Sequence, residues 1–327
     1  MADAAVSDQS LSDLSDPRQI DRAQAALSAC GVDGDVSAVQ RLKGQSHESW
    51  RVERRDAPPV VLRIEPARGI LPPYDLPAEA RLLQLLARAG IPVPEVLGVC
   101  EALDSPELAG RACIVIEWVD GDVLIRGQLQ PDAARAYCET LRQIHTLDWR
   151  AGGLDWLPTP PASGPALRER AEILQRLQSF GVADLPHIKR LREALDGRAP
   201  DSPAPMLVHG DVNFGNVILH PGDPQTPPQV AAVLDWEQAH LGDPLSDWGR
   251  LAAEDLLGNL DLSAGARQVM TETLNSYGRS EHDLHYWTIH QLYKHSSATG
   301  ALIVLRGWDP DQIAAMYEEP TNRLLSR

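Results

Sequence analysis

Two carboxylates and one carboxamide, Asp211, Asn216 and Asp235, constrain this 327-residue chain more than any other feature. They lie in LVHGDVNFGN (207–216) and VLDWE (233–237), with Asn216 five residues after Asp211 (216 − 211) and Asp235 nineteen after Asn216 (235 − 216). The apolar run 204–209 leads into a glycine-containing loop, so Asp211 falls where a strand-like segment ends. Asn216 to His220 reads as a short strand, 221–228 (PGDPQTPP) as a turn, and Val230 to Leu234 as the returning strand. Such a hairpin brings Asn216, at one strand's start, beside Asp235, at the other strand's end. Its turn can lengthen at little cost, because loop-closure entropy grows slowly with length. The order Asp, Asn, Asp suits phosphoryl transfer to a hydroxyl, in which one Asp takes the proton while an Asn and a second Asp hold magnesium.

At these residues the chain resembles the aminoglycoside phosphotransferase and choline kinase-like family, a branch of the protein-kinase-like fold. The resemblance rests on His209-Gly210-Asp211, on Asn216 and on Asp235-Trp236-Glu237, and continues through Gly242-Asp243-Pro244-Leu245-Ser246-Asp247-Trp248. Motifs in this order extend over roughly residues 36 to 260, far more specific than any one of them alone. The resemblance implies an α+β, two-lobed fold with a small β-rich N-terminal lobe and a larger, mainly helical C-terminal lobe. It divides the chain into an acidic mobile tail (1–16), a nucleotide-binding lobe (17–118) and a catalytic and acceptor-binding lobe (119–327). It further implies Asp211 as catalytic base, Asn216 and Asp235 as Mg2+ ligands, and Asp247 as the anchor of the catalytic loop. ATP or GTP is the implied phosphoryl donor, and a hydroxyl-bearing small molecule the acceptor.

Upstream, Val39 to Glu53 reads as two strands around Gly44-Gln45-Ser46-His47, and Pro59 to Ile64 as a third. Leu76 to Ala89 carries a helical apolar stripe (Leu82, Leu83, Leu85, Leu86, Ala89), with Gly90 at a C-cap position. Kinase-like folds pair a basic residue on the third strand with a Glu on the next helix. Arg63 and Glu79 occupy those places, and Arg stands where Lys is usual; its planar fork binds phosphate oxygens with a different geometry. The loop at Gly44 is poor in glycine, so Ser46 is expected to assist in cradling phosphates. The resemblance makes 113–121 (CIVIEWVDG) the hinge, with backbone around Glu117 to Val119 meeting the purine edge. Pro131 to His145 reads as a helix, and His145 at its end is expected to be structural.

The length and 43% hydrophobic content allow two lobes, each with a core. The chain has no apolar run of membrane-spanning length, and its start (MADAAVSD) lacks the basic and apolar regions of a signal peptide. Cys30, Cys100, Cys113 and Cys138 lie far apart in sequence without metal-type spacing, and read as reduced packing residues of a cytoplasmic protein. A net charge of −16 argues against nucleic-acid binding, which rests on Lys and Arg neutralising phosphates.

The C-terminal half reads as helical: 166–180, 185–195, 250–258, 264–277, 281–305 and 310–325. Asp255, Asp283, Trp287, His290, Tyr293 and Trp308 are its candidates for acceptor contact, and Glu237 and Asp243 for local polar roles. Between Asp235 and Gly242 there is little chain from which to build the platform that seats a peptide substrate in protein kinases, so a small acceptor is expected. Two other readings use the same residues. A metal-dependent hydrolase would use His209, Asp211, Asn216, Asp235, His240 and Asp243 as ligands. A non-catalytic nucleotide-binding protein is motivated by Arg63 and the glycine-poor loop.

Overall fold

The computed structural model describes residues 16–42, 47–67, 74–101, 108, 110–124, 128–159, 165–196, 199–200, 204–222 and 225–326. Gly44, Gln45, Ser46 and most of the expected tail lie outside them. The chain forms two compact units, Met1–Val119 and Asp120–Arg327.

Unit 1 begins with helix α1 (Pro17–Ala29), whose N-terminus is capped by the Asp16 carboxylate accepting from the Arg18 amide. The sequence reading has no helix here, because the buried face (Ala23, Ala26, Leu27) is mostly alanine and gives a weak apolar period. Strands β1 (Val36–Arg41), β2 (Glu48–Arg54), β3 (Val60–Ile64), β4 (Val96–Cys100) and β5 (Cys113–Glu117) form an antiparallel sheet in the order β1-β2-β3-β5-β4. Helix α2 (Leu76–Arg88) connects β3 to β4. Side chains alternate across a strand. Leu62 and Ile64 of β3, with Cys113 and Val115 of β5, join the core made with Ala26 and Leu27 of α1. Alternation therefore turns Arg63 to the other face of the sheet, where α2 supplies Glu79.

Unit 2 starts with β6 (Asp122–Val123), followed by helices α3 (Pro131–Thr146), α4 (Pro165–Ser179) and α5 (Pro186–Ala194). Strand β7 (Met206–Val208) leads into the 209–213 loop and a 3-10 turn, Phe214–Asn216, before the hairpin of β8 (Val217–His220) and β9 (Gln229–Val233). Asn216 thus ends a turn rather than opening a strand, because the Asn213 side chain accepts from the Gly215 amide at 2.8 Å and tightens the backbone. Strand β10 (His240–Gly242) returns antiparallel to β7, with His240 opposite Val208. Helices α6 (Leu245–Leu256), α7 (Ala264–Asn275), α8 (Glu281–Arg306) and α9 (Pro310–Leu325) complete the unit. Helix α6 starts five residues earlier than the sequence suggests, because Asp243 accepts from the Leu245 amide at 3.0 Å and opens the helix there. Helix α8 runs through the core, burying Trp287, Leu292 and Tyr293. It lies so close to α6 that a Cβ on Gly249 would fall 2.6 Å from the Trp287 carbonyl oxygen.

Candidate functional site

The 209–213 loop is built by pinning its backbone. Asp247, fully buried near the start of α6, accepts from the His209 amide at 3.0 Å and the Gly210 amide at 2.9 Å. The same carboxylate meets His145 Nε2 at 3.0 Å, while His145 Nδ1 lies 2.7 Å from the Tyr277 hydroxyl. The carboxylate can only accept, so Nε2–H donates to it. On the carbonyl side, Lys294 of α8 donates to Gly210 O at 2.8 Å, and Tyr137 of α3 to Val212 O at 3.0 Å. Gly210 itself has φ 85°, and a Cβ there would lie 2.4 Å from Gln238 O, so neither the backbone nor the space admits a side chain.

Asp211 projects from this pinned loop. Arg250 Nε donates to its Oδ1 at 2.8 Å, and among the described residues Oδ2 has a long 3.5 Å contact from Asn216 Nδ2. Burial on its own would raise the Asp211 pKa, but the Arg250 guanidinium, helped by Lys294, holds it down at about 2. The carboxyl is ionised at neutral pH. Arg250 in turn pairs with Glu254, one turn further along α6. Spacing alone gives no sign of Arg250; its role follows from the place of α6 against the loop.

The hairpin brings the expected metal pair together. Val217 lies opposite Val233, and the Leu234 amide donates to Asn216 O at 2.8 Å, so Asn216 sits beside the segment that carries Asp235. Asn216 Nδ2 donates to Asp211 O at 2.9 Å, which leaves the amide oxygen as its acceptor atom. His209 ties the two stretches: its Nε2 meets Leu234 O at 2.9 Å and its Nδ1 accepts from the Asp211 amide at 3.2 Å. Asp235 has φ 64°, and among the described residues no other non-glycine residue has a positive φ. Backbone held in this sparsely populated region is a mark of functional positions. A carboxylate and an amide oxygen form the hard, oxygen-only donor set that Mg2+ prefers.

Beneath the loop lies a buried ion pair. Glu169 of α4 meets His240 Nε2 at 3.1 Å, while His240 Nδ1 lies 2.9 Å from Gln238 O. Two acceptors demand two N–H donors, so this imidazole is doubly protonated. Burial opposes that charge, yet Glu169 raises the His240 pKa and His240 lowers that of Glu169.

In unit 1, Arg63 Nη1 meets Glu79 Oε1 at 2.5 Å, both residues being buried. Arg63 Nη2 lies 2.9 Å from His47 Nδ1. Burial, reinforced by the Arg63 charge, pushes His47 down to about 3, so its Nδ1 is the acceptor. His47 had no assigned role in the sequence reading. Glu117 is bound locally: its amide donates to Glu95 O at 2.9 Å, and its carboxylate accepts from the Glu95 amide at 3.0 Å. Val119 ends this unit.

Three ligands of the hydrolase alternative are committed elsewhere. His209 bridges Leu234 and Asp211, His240 pairs with Glu169, and Asp243 holds the Leu245 amide and Arg279 (3.1 Å). Two acceptor candidates also have structural partners: Asp255 pairs with Arg267 at 2.7 Å, and Asp283 forms the capping box of α8 with Ser280. Trp287, His290 and Tyr293 are core residues of α8, and Trp308 is exposed.

The sequence profile of the phosphotransferase enzyme family matches residues 37–277. The chain belongs to that family. The chain is 31% identical over 223 residues to acyl-CoA dehydrogenase family member 10 of Mus musculus; the match covers 65% of the chain and 20% of the mouse protein. The chain therefore spans about a fifth of that relative's length. Among solved structures, it superposes on a GDP complex of a variant of aminoglycoside 2'-phosphotransferase-IIIa with TM-score 0.66 and 16% identity, over 92% of this chain and 96% of the other. It superposes on a variant of aminoglycoside phosphotransferase APH(4)-Ia in complex with ADP and hygromycin B with TM-score 0.61 and 17% identity, over 92% and 96%. At these identities the likeness shows the protein-kinase-like fold, the α+β architecture expected from the sequence. No helix among the described residues is long and apolar enough to cross a membrane.

Proposed function

We propose that this chain moves the γ-phosphoryl group of ATP or GTP to a hydroxyl of a small molecule, with Asp211 as the base. The observation that carries the reading is the one-sided engagement of Asp211: Oδ1 is held by Arg250 on a loop pinned at four backbone atoms, and Oδ2 is left for the acceptor. Oδ2 accepts the hydroxyl proton as the acceptor oxygen bonds to phosphorus and the bond to the leaving nucleoside diphosphate breaks. A pKa of about 2 makes Asp211 a weak base, which suits a loose transition state in which the proton leaves late. Asn216 and Asp235 would hold Mg2+, and Arg63, steadied by Glu79 and His47, would neutralise phosphate oxygens. Bound Mg2+ supplies charge neutralisation of the transferring group. Gly44, Ser46 and the backbone at Glu117 and Val119 are proposed as further nucleotide contacts.

For the acceptor, the relative named for acyl-CoA dehydrogenation carries more weight than the aminoglycoside enzymes, which share fold at 16–17% identity. Hydroxyl groups on acyl compounds therefore come first in the acceptor panel. The short return through β10 favours a small acceptor over a protein, since the chain after Asp235 pairs at once with β7. The test is a nucleotide-consumption assay with ATP and GTP, with and without Mg2+, across hydroxyacyl compounds, aminoglycosides and amino alcohols. Consumption that needs both Mg2+ and an acceptor, and is lost in Asp211→Asn, supports the reading. Equal consumption without any acceptor would replace it with a hydrolase, and absence of Mg2+-dependent nucleotide binding would leave a non-catalytic protein.

A further inference from the structure

Unit 1 gathers three thiols that the proposed reaction does not use. Cys30 caps the C-terminus of α1, Cys100 closes β4 and Cys113 opens β5. They are remote in sequence; none is in a disulfide, as the sequence leads one to expect, and the fold brings these three together. Cys30 Sγ lies 3.4 Å from Cys113 Sγ and 3.8 Å from Cys113 O. The β4–β5 ladder sets Cys100 opposite Cys113. Helix α1 comes this close because β4 carries Gly98, where a Cβ would fall 2.3 Å from Cys30 O and 2.8 Å from Cys30 Cβ. Cys30 and Cys113 are buried, and Cys100 is half-buried. Either sulfur can donate in this contact, so the two thiols are equivalent partners at its ends.

We propose that Cys30 and Cys113 are a redox-active dithiol that closes to an intramolecular disulfide by exchange with a small-molecule disulfide, with Cys100 as the entry thiol. The Cys100 thiolate attacks one sulfur of oxidised glutathione, releasing one glutathione thiol and forming a mixed disulfide. Cys113 attacks the Cys100 sulfur and releases the second glutathione thiol. Cys30 then attacks Cys113 Sγ and returns Cys100 to the thiol. Two protein thiols lose two protons and two electrons, and one glutathione disulfide is reduced to two thiols. The last bond brings the sulfurs together by roughly an ångström, from their present contact to bonding distance. The crosslink would fasten α1 to β5, which pairs with β3 through Arg63 opposite Ile114 and Ile64 opposite Cys113. It is independent of phosphoryl transfer.

The experiment incubates the whole chain in glutathione buffers of graded redox poise, quenches with acid, alkylates under denaturing conditions and maps the peptides. A Cys30–Cys113 linked peptide is expected, with Cys138 still alkylated. The oxidised protein should melt at a higher temperature, because the crosslink restricts the unfolded chain, and should revert with dithiothreitol. Cys100→Ser should reach the same end point at least about tenfold more slowly, since access limits exchange between buried thiols. Cys30→Ser and Cys113→Ala should each abolish the crosslink; if either variant fails to fold, the wild-type map decides alone. Alkylation of both Cys30 and Cys113 at equilibrium in the most oxidising buffer would overturn the proposal, as would a linked peptide joining Cys100 to either of them in its place. An unchanged rate in Cys100→Ser would remove the entry role.

Discussion

The phosphate-binding group proposed in unit 1 and the loop around Asp211 in unit 2 are built on different plans. Arg63, Glu79 and His47 hold one another by side chain, from a strand, the helix after it and the residue just before β2. In the loop the side chains of Asp247, Lys294 and Tyr137 hold backbone, each reaching in from a different helix. A side-chain group can lose a member and keep its scaffold. A loop that draws on distant side chains for some of its peptide groups loses shape with its anchor, because a buried amide without a partner is costly. The contrast teaches that Asp211, the proposed base, is positioned by helices from across unit 2, whereas Arg63, the proposed phosphate anchor, is positioned by its neighbours.

The strongest way to probe the contrast is at the reacting atom. Asp211→Asn should lower turnover by at least about a hundredfold while leaving nucleotide affinity unchanged, as expected for loss of a general base. Steady-state kinetics beside calorimetric nucleotide titration would check it. Retained turnover would remove Asp211 from the reaction.

Next comes the anchor. Asp247→Ala leaves two backbone amides and His145 without their acceptor, and should cost about 3 kcal/mol of stability by urea denaturation, in addition to lost activity. If stability is unchanged, the loop is not held through this carboxylate. Arg250→Met frees Asp211 Oδ1 and should reduce kcat about tenfold or more through misorientation, with nucleotide affinity kept. A purely structural Arg250 would lower stability without that split.

Arg63→Met should weaken nucleotide binding by about tenfold, the scale of one charge-assisted contact, and leave kcat at saturating nucleotide less affected. Arg63→Lys should recover part of that loss. Equal damage to kcat and affinity would show that the two units do not divide the work as described.

The smallest effect is a pH dependence. The His240 pKa is raised from an ordinary 6.5, so its contribution to stability is fully present below that value and is lost as pH rises through the folded-state value. The Glu169 pKa is lowered from an ordinary 4.5, so its contribution is present above 4.5 and is lost as pH falls through the folded-state value. The pair therefore stabilises most between 4.5 and 6.5. Melting temperature against pH should decline on the alkaline side, and His240→Gln should flatten that decline.

The sequence by itself determined the spacing of Asp211, Asn216 and Asp235, the hairpin that joins the last two, the pairing of Arg63 with Glu79 and most helices of unit 2. The hairpin and the helices follow from local physics, since a turn-rich segment between two apolar runs folds back on itself and an apolar stripe at helical period must be buried. The pairing of Arg63 with Glu79 is what the kinase-like template implies. Only the tertiary structure decided that Lys294 joins Asp247 in gripping the loop, that Arg250 takes one oxygen of Asp211, that Glu169 pairs with His240 and that three cysteines converge. His145 was read as structural, and the fold supplies its partners, Asp247 and Tyr277. Arg250 and Lys294 stand in their helices like any other basic residue. They act because α6 and α8 pass close together at Gly249, and the contacts that give a buried side chain its role join positions whose separation along the chain carries no signal.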